Sequence, residues 1–149
     1  MSEEQAKRTR RQASEAYVDE LIAPGMGARH SRFLARLGNP KLAETMHDYH
    51  LLEAQTEQLS IEENYLVGMA VLYATRSHGT AGMFAKTLLH RGVEADKLRE
   101  VMVRLSMWIG GIPAAEAAGK LEAAIRDYEA RGLDSMSPWF PAEERERER

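Results

Sequence analysis

The sequence predicts an all-α fold, a bundle of six or seven helices. Apolar residues recur at the i, i+3, i+4, i+7 spacing of an amphipathic helix, most clearly over residues 98–109. Capping residues, glycines and prolines divide the chain at intervals typical of helix ends, and no segment alternates apolar and polar residues as a half-buried strand does. We therefore expect one helical domain over residues 1–140 and a charged tail over residues 141–149.

Three helices are predicted in the N-terminal third. The first covers residues 3–22 and stops at the turn formed by residues 24–27; a short second helix covers residues 29–37. Asn39 and Pro40 supply an N-cap and a first-turn proline for the third, which runs to about residue 58. The expected inner face of the first helix is Ala13, Ala16, Tyr17, Glu20 and Leu21. The expected inner face of the third is Leu42, Met46, Tyr49 and Glu53.

A capping box marks the start of the fourth helix. Ser60 is followed three residues later by Glu63, so the hydroxyl and the carboxylate can each accept a backbone amide, and the helix starts near Ile61. Its centre, residues 66–72, is apolar on every side, which predicts a helix surrounded by protein on most sides.

Glycines separate the last three predicted helices. Ser77 is expected to cap a fifth helix that ends at Gly92, where a left-handed backbone is easily adopted. The sixth helix contains residues 98–109. The seventh begins near Pro113 and ends near Arg131.

Composition narrows the classes of function. The 149 residues are 44% hydrophobic and 29% charged with a net charge of −3, which indicates a soluble globular protein and favours neither nucleic acid nor a membrane as partner. The absence of cysteine excludes disulfides and thiolate chemistry. The polar N-terminus does not resemble a secretory signal. The longest apolar run, residues 65–74, is far shorter than the roughly 20 residues that span a bilayer. We expect a cytoplasmic protein.

Residues 59–118 resemble a known family. They contain Leu59-Ser60-Ile61-Glu62-Glu63, an apolar run over residues 65–74, Leu88-Leu89-His90-Arg91-Gly92-Val93, and Gly111-Ile112-Pro113-Ala114-Ala115. This order resembles the carboxymuconolactone decarboxylase family, within the alkylhydroperoxidase-like helical proteins. The resemblance covers roughly the C-terminal half of the chain. It implies an all-helical subunit that assembles into trimers or hexamers and binds small organic acids or lactones near subunit contacts. It also implies no metal and no organic cofactor.

The chain departs from this family at two points. The histidine that the family usually carries eight residues before the crossover glycine falls on Phe84, and the Cys-x-x-Cys pair of the peroxidase branch is missing. Tyr65 also stands at a position that is often polar in the family. We therefore expect a more apolar pocket, a larger and less charged substrate, and a changed reaction.

One candidate site lies on the third predicted helix. Glu44, His47, His50 and Glu53 follow one another at spacing three, so they share one side of the helix. His47 and His50 are candidate catalytic acid/base residues, with Glu53 in the same pocket. One alternative is a solvated helix face on which these side chains make ordinary hydrogen bonds. The other is a metal site formed by all four side chains, but carboxylate-bridged metal sites need a second Glu-x-x-His motif.

A second candidate site follows the fourth helix. Arg76 can bind a carboxylate through two parallel hydrogen bonds. His78, at the start of the fifth helix, is a candidate proton acceptor. Tyr73 is placed beside them as a group that could stabilise an enolate. The alternative is that Arg76 pairs with a nearby carboxylate and His78 faces water.

Three aromatic residues complete the predicted binding site. Tyr65, Phe84 and Trp108 are assigned to the substrate pocket, although aromatic residues at helical spacing more often form core or subunit contacts.

Together these patterns favour an enzyme that needs no cofactor and no metal. We expect a lyase or decarboxylase-like enzyme, or an isomerase, that acts on a small carboxylated or enolisable compound through histidine acid/base chemistry. It is expected to form a homo-oligomer. One alternative is a catalytically inactive oligomeric scaffold or small-molecule binding subunit of the same family. The other is a metal-dependent helical enzyme that uses the Glu44–Glu53 set.

Overall fold

The computed structural model describes residues 1–137 and 139–141, and all regular structure in them is helical. They form seven α-helices and one 3₁₀ turn, with no strand. The all-α prediction is confirmed for this part of the chain. Of the tail predicted over residues 141–149, only Pro141 is described. None of the described helices is both long and apolar enough to cross a membrane.

The chain divides into two compact units. The first contains residues 1–57 together with the described residues from 137 onward. The second contains residues 58–136. The single domain predicted over residues 1–140 stays a prediction.

Three helices build the first unit. They are α1 (Glu3–Leu21), α2 (Met26–Arg36) and α3 (Pro40–Ala54). Asn39 caps α3 as predicted, because its side chain accepts a hydrogen bond from the Leu42 amide at 3.0 Å. Helix α3 ends at Ala54, four residues before the predicted end.

The predicted inner faces of α1 and α3 are wrong in part. On α1 the buried residues are Ser14, Tyr17, Val18 and Leu21, while Ala13, Ala16 and Glu20 are exposed. These buried residues follow the i, i+3, i+4, i+7 spacing of a helix face that begins at Ser14. A buried face predicted from apolar residues alone is therefore wrong here. On α3, Leu42 and Tyr49 are exposed, because the side facing α1 carries histidines instead of apolar residues.

Four helices and a 3₁₀ turn build the second unit. They are α4 (Ile61–Ala74), α5 (His78–His90), α6 (Ala95–Ile109), α7 (Gly111–Arg131) and the 3₁₀ turn Gly132–Met136. The capping box is confirmed, since Ser60 accepts from the Glu63 amide and Glu63 accepts from the Ser60 amide. Gly92 is left-handed as predicted, with φ 88°.

Two details of the second unit differ from expectation. Ser77 precedes α5 but its hydroxyl makes no capping hydrogen bond, because its backbone (ψ 56°) is not in the extended conformation that directs a capping side chain at the first turn. Helix α4 is buried along Tyr65, Met69 and Tyr73, whereas Val67 and Val71 are exposed. Only the stripe of Glu63, Val67 and Val71 is exposed and the other residues of α4 are buried or half-buried, so the prediction of a helix covered on most sides fails only along this stripe.

Gly27 allows α2 to lie directly against α1. A Cβ atom at this position would overlap the backbone carbonyl of Glu15, and the Gly27 amide donates to Asp19 Oδ1 at 2.7 Å. We expect Gly27→Ala to lower the free energy of unfolding by about 2 kcal/mol or more, since backbone must move to make room. Urea unfolding measures the change.

Gly119→Ala is the matched control, because a Cβ there meets no atom within 4 Å and the residue lies inside α7. It should raise the free energy of unfolding by up to about 1 kcal/mol, through helix propensity. Equal stability of the Gly27→Ala variant and the wild type would contradict this description of the α1–α2 contact.

Candidate functional site

One buried hydroxyl joins two imidazoles in the first unit. The Ser14 Oγ atom on α1 lies 2.9 Å from Nδ1 of His47 and 2.8 Å from Nδ1 of His50, both on α3. The two histidines reach one hydroxyl because residues three apart share one side of a helix. Ser14 is only 1% exposed. The structure therefore brings together two of the three predicted catalytic histidines and adds a serine between them.

A third imidazole, His30 on α2, lies next to His50. Their ring centres are 5.1 Å apart. Nδ1 of His30 lies 3.1 Å from the Trp139 carbonyl oxygen, and since a carbonyl only accepts, this nitrogen carries a proton. His30 is 4% exposed, and its Nε2 atom has no hydrogen-bond partner among the described residues.

Burial keeps these imidazoles neutral. It lowers the pKa of His50 from 6.5 to about 3, with smaller effects from His30 and His47. It also lowers the pKa of His30. The pKa of His47 is lowered first by burial and then by the Arg11 charge. At pH 7 all three rings are therefore neutral, and a neutral ring can accept a proton.

His47 also lines a cleft in the first unit. The cleft has a volume of about 810 Å³ and is bounded by α1, α2, the α2–α3 loop and the start of α3. Its charged lining residues are Glu4, Lys7, Arg8, Arg11, Glu15 and Glu44. Because Nδ1 of His47 is engaged by Ser14, Nε2 is the ring nitrogen left for a molecule in the cleft.

The cations of the cleft differ in their partners. Lys7 pairs with Glu3 at 3.0 Å and with Glu44 at 3.4 Å. Arg11 donates to Glu15 at 2.8 Å. Arg8, in contrast, forms no ion pair with any residue in the described part of the chain. Its guanidinium is therefore the cleft cation that is most available to an anion.

The second predicted site lies in the second unit. Arg76 has a left-handed backbone (φ 62°) and pairs with Glu116 at 3.5 Å. The ring centres of Tyr73 and His78 are 6.0 Å apart. Tyr73 is 1% exposed, and burial raises the pKa of its hydroxyl to about 12. The phenol is therefore a weak acid. The roles assigned to these three residues stay predictions.

The predicted aromatic residues occupy two different environments. Tyr65 stacks on Phe84 with ring centres 4.3 Å apart, and the Phe84 ring lies so close to Gly68 that a Cβ there would stand 2.7 Å from it. The stack is therefore tightly packed around Phe84. Trp108 is 83% exposed. Their assignment to a substrate pocket stays a prediction.

The two glutamates of the third-helix motif have different partners. Glu53 accepts a hydrogen bond from the Tyr17 hydroxyl at 3.1 Å, beside His50, whereas Glu44 pairs with Lys7. No group of three or more His, Asp or Glu side chains among residues 1–137 and 139–141 is arranged to hold a metal ion. The arrangement of these side chains therefore does not support the metal-dependent alternative.

Sequence reasoning missed Ser14, His30 and Arg8. A serine inside the buried stripe of α1 was the available signal for Ser14, because a buried hydroxyl needs a partner. His30 is isolated in the sequence, and its neighbours come from α3 and the C-terminal segment. Arg8 belongs to a basic run that is typical of a solvated helix face.

Comparison with protein-family models finds no match, and comparisons with curated proteins and with solved structures find no significant similarity.

Proposed function

We propose that this protein is an enzyme of the lyase or isomerase type that acts on a small carboxylated or enolisable compound, with His47 as the proton-transfer group. One observation carries the proposal: a neutral, partly buried imidazole lines a cleft that also contains an available guanidinium. The proton acceptor comes from the protein itself, so the proposed chemistry requires neither a metal nor an organic cofactor.

His47 meets the requirements of a general base. It is neutral at pH 7 because burial and the Arg11 charge lower its pKa. When it removes a proton from a carbon next to a carbonyl group, the C–H electron pair becomes part of an enolate and the ring becomes an imidazolium. The same ring can return the proton to another atom, which completes an isomerisation. In decarboxylation of a β-keto acid the C–C bond breaks, its electron pair enters the enolate and carbon dioxide leaves; a His47 ring that has taken a proton from solvent can then deliver it to the enolate carbon.

Arg8 is the proposed carboxylate-binding residue. A guanidinium presents paired N–H donors that match the two oxygens of a carboxylate. Lys7 and Arg11 add positive charge to the same wall, although both already have carboxylate partners. This assignment replaces Arg76 as the proposed carboxylate anchor and places the site in the first unit.

The family resemblance supports the same class of substrate. The carboxymuconolactone decarboxylase family, which residues 59–118 resemble, acts on small organic acids or lactones without a metal or an organic cofactor. Because Phe84 stands where that family has a histidine, we propose that proton transfer has moved to His47. We further propose an alkylhydroperoxidase-like fold.

Proton exchange in deuterated water tests the proposal. Pyruvate, oxaloacetate and acetoacetate serve as probes, and proton NMR follows both deuterium incorporation next to the carbonyl and loss of carbon dioxide. We expect the full chain to accelerate at least one of these reactions tenfold or more over buffer, in proportion to protein concentration. Buffer rates for all three probes would contradict the proposal.

An oligomeric scaffold or binding subunit is the second candidate function. Its support is a group of exposed apolar residues around the end of α6 and the start of α7, namely Val103, Met107, Trp108 and Ile112. Groups of exposed apolar residues are typical of surfaces that bind other proteins. We propose a homo-oligomer, a trimer or hexamer. Light scattering at micromolar concentration should give a mass three or six times the 16.8 kDa of one chain. A monomeric mass would contradict it.

A further inference from the structure

The Ser14 hydroxyl forms different hydrogen bonds with its two histidine neighbours. It has one proton to donate and lone pairs that accept. Nδ1 of His47 and Nδ1 of His50 both lie within hydrogen-bond distance, and Ser14 Oγ makes no other hydrogen bond with the described residues. The hydroxyl therefore donates to one neutral ring and accepts from the other. The two rings consequently carry their protons on opposite nitrogens.

The neighbouring His30 ring favours one of these two arrangements. Its Nδ1 atom donates to the Trp139 carbonyl, so in the neutral ring Nε2 is a bare, buried lone pair without a partner among the described residues. The His50 ring centre lies 5.1 Å away. A proton on Nε2 of His50 adds the positive end of an N–H dipole to the ring beside this lone pair, whereas a bare Nε2 would add a second lone pair there. His50 then accepts the Ser14 proton at Nδ1.

We infer that Ser14 is a positioning residue that holds His47 with its proton on Nδ1 and His50 with its proton on Nε2. Ser14 is hydrogen-bonded to both His47 and His50, and His30, which donates to the Trp139 carbonyl, lies beside His50 without a hydrogen bond to it. This arrangement leaves Nε2 of His47 unprotonated, and this is the nitrogen that can serve the cleft.

The catalytic consequence rests on the proposed function. A bare Nε2 takes the proton from the substrate carbon: the C–H bond breaks, its electron pair enters the enolate, and an N–H bond forms on His47. Ser14 Oγ still accepts from Nδ1 of the resulting imidazolium and still donates to His50. No hydroxyl has to turn during the step, so the site is arranged in advance for the charge that develops.

Nitrogen-15 NMR of the histidine rings tests this arrangement. The chain has five histidines, so single His→Gln variants assign every ring. At pH 7 we expect the proton on Nδ1 in His47 and His30, and on Nε2 in His50. In Ser14→Ala the proton of His47 should move to Nε2, and any exchange activity should fall at least about tenfold, because the base nitrogen is then occupied.

Ser135→Ala is the matched control, since it removes another buried hydroxyl, one that donates to the Gly132 carbonyl in the second unit. It should leave the rings of His47 and His50 unchanged. A proton on Nε2 of His47 in the wild type would overturn the inference, and so would an unchanged His47 ring in Ser14→Ala.

The two proposals can fail separately. If the wild type has the expected ring protonation but exchanges no probe proton, the proposed function fails and the Ser14 arrangement stands. If it exchanges probe protons while His47 carries its proton on Nε2, the Ser14 arrangement is overturned while the proposed reaction class stands, and His47→Gln then decides whether His47 is the proton-transfer group.

Discussion

Replacing His47 with Gln is expected to lower the protein-dependent rate of proton exchange, the rate above that of buffer, at least about tenfold in the most reactive probe, because general acid–base catalysis contributes factors of about 100 or more. A Gln side chain has a similar length and can still form a hydrogen bond with the Ser14 hydroxyl, but its amide cannot accept a proton at pH 7. Proton NMR of the probe in deuterated water measures the rate, and circular dichroism checks that the variant is folded.

His90→Gln is the matched control for that variant. His90 lies in the second unit, where its Nδ1 atom is 2.9 Å from the Tyr128 hydroxyl. This variant should exchange at the wild-type rate. His78→Gln, measured in parallel, tests the third histidine that the sequence singled out. A His47→Gln rate within tenfold of the wild type, a difference below about 1.4 kcal/mol in barrier, would contradict the role of His47.

Acid is expected to destabilise the first unit through His50. Its pKa in the folded chain is about 3, against 6.5 for an ordinary histidine, so between these values the unfolded chain binds a proton that the folded chain does not. The free energy of unfolding is therefore fully retained above pH 6.5 and falls as the pH decreases toward 3. From pH 7 to pH 4 the expected loss is about 3 kcal/mol. The pKa values of His30 and His47 are lowered too, so they act in the same direction.

Urea unfolding followed by the fluorescence of Trp139 measures this loss. The chain has two tryptophans, and Trp108→Phe removes the other at an exposed position in the second unit. In that background, His50→Gln should reduce the loss of stability between pH 7 and pH 4 by about 3 kcal/mol, because Gln does not titrate, and the contributions of His30 and His47 should remain. The same pH dependence with and without His50→Gln would contradict the burial of a neutral ring at this position.

Local sequence signals predicted the helix boundaries well. The capping box at Ser60 and Glu63, the Asn39 cap and the left-handed Gly92 each depend on neighbours within a few residues, and all three are present in the structure. Ser77 shows the limit of such signals. A residue of the right type precedes α5, but its backbone conformation keeps the hydroxyl from the first turn.

The candidate site could be predicted only in part. Spacing three placed His47 and His50 on one side of α3, and the structure brings both to one hydroxyl. That hydroxyl and His30 come from other helices, and their contacts depend on how the helices cross. Leu42 and Tyr49 were assigned inward because apolar residues usually mark the buried side of a helix. On α3 the polar side is the one that packs, so this rule pointed to the wrong face.

Titration of the assigned histidine rings with pyruvate tests whether a small carboxylate binds beside His47. Carbon–proton NMR spectra of the full chain at pH 7 follow the ring signals of His47 and His90 as pyruvate is added. We expect the His47 signals to shift in a saturable manner while those of His90 stay in place, and we expect Arg8→Gln to weaken the response. No saturable shift of His47, or an equal shift of both rings, would contradict a carboxylate site in this cleft.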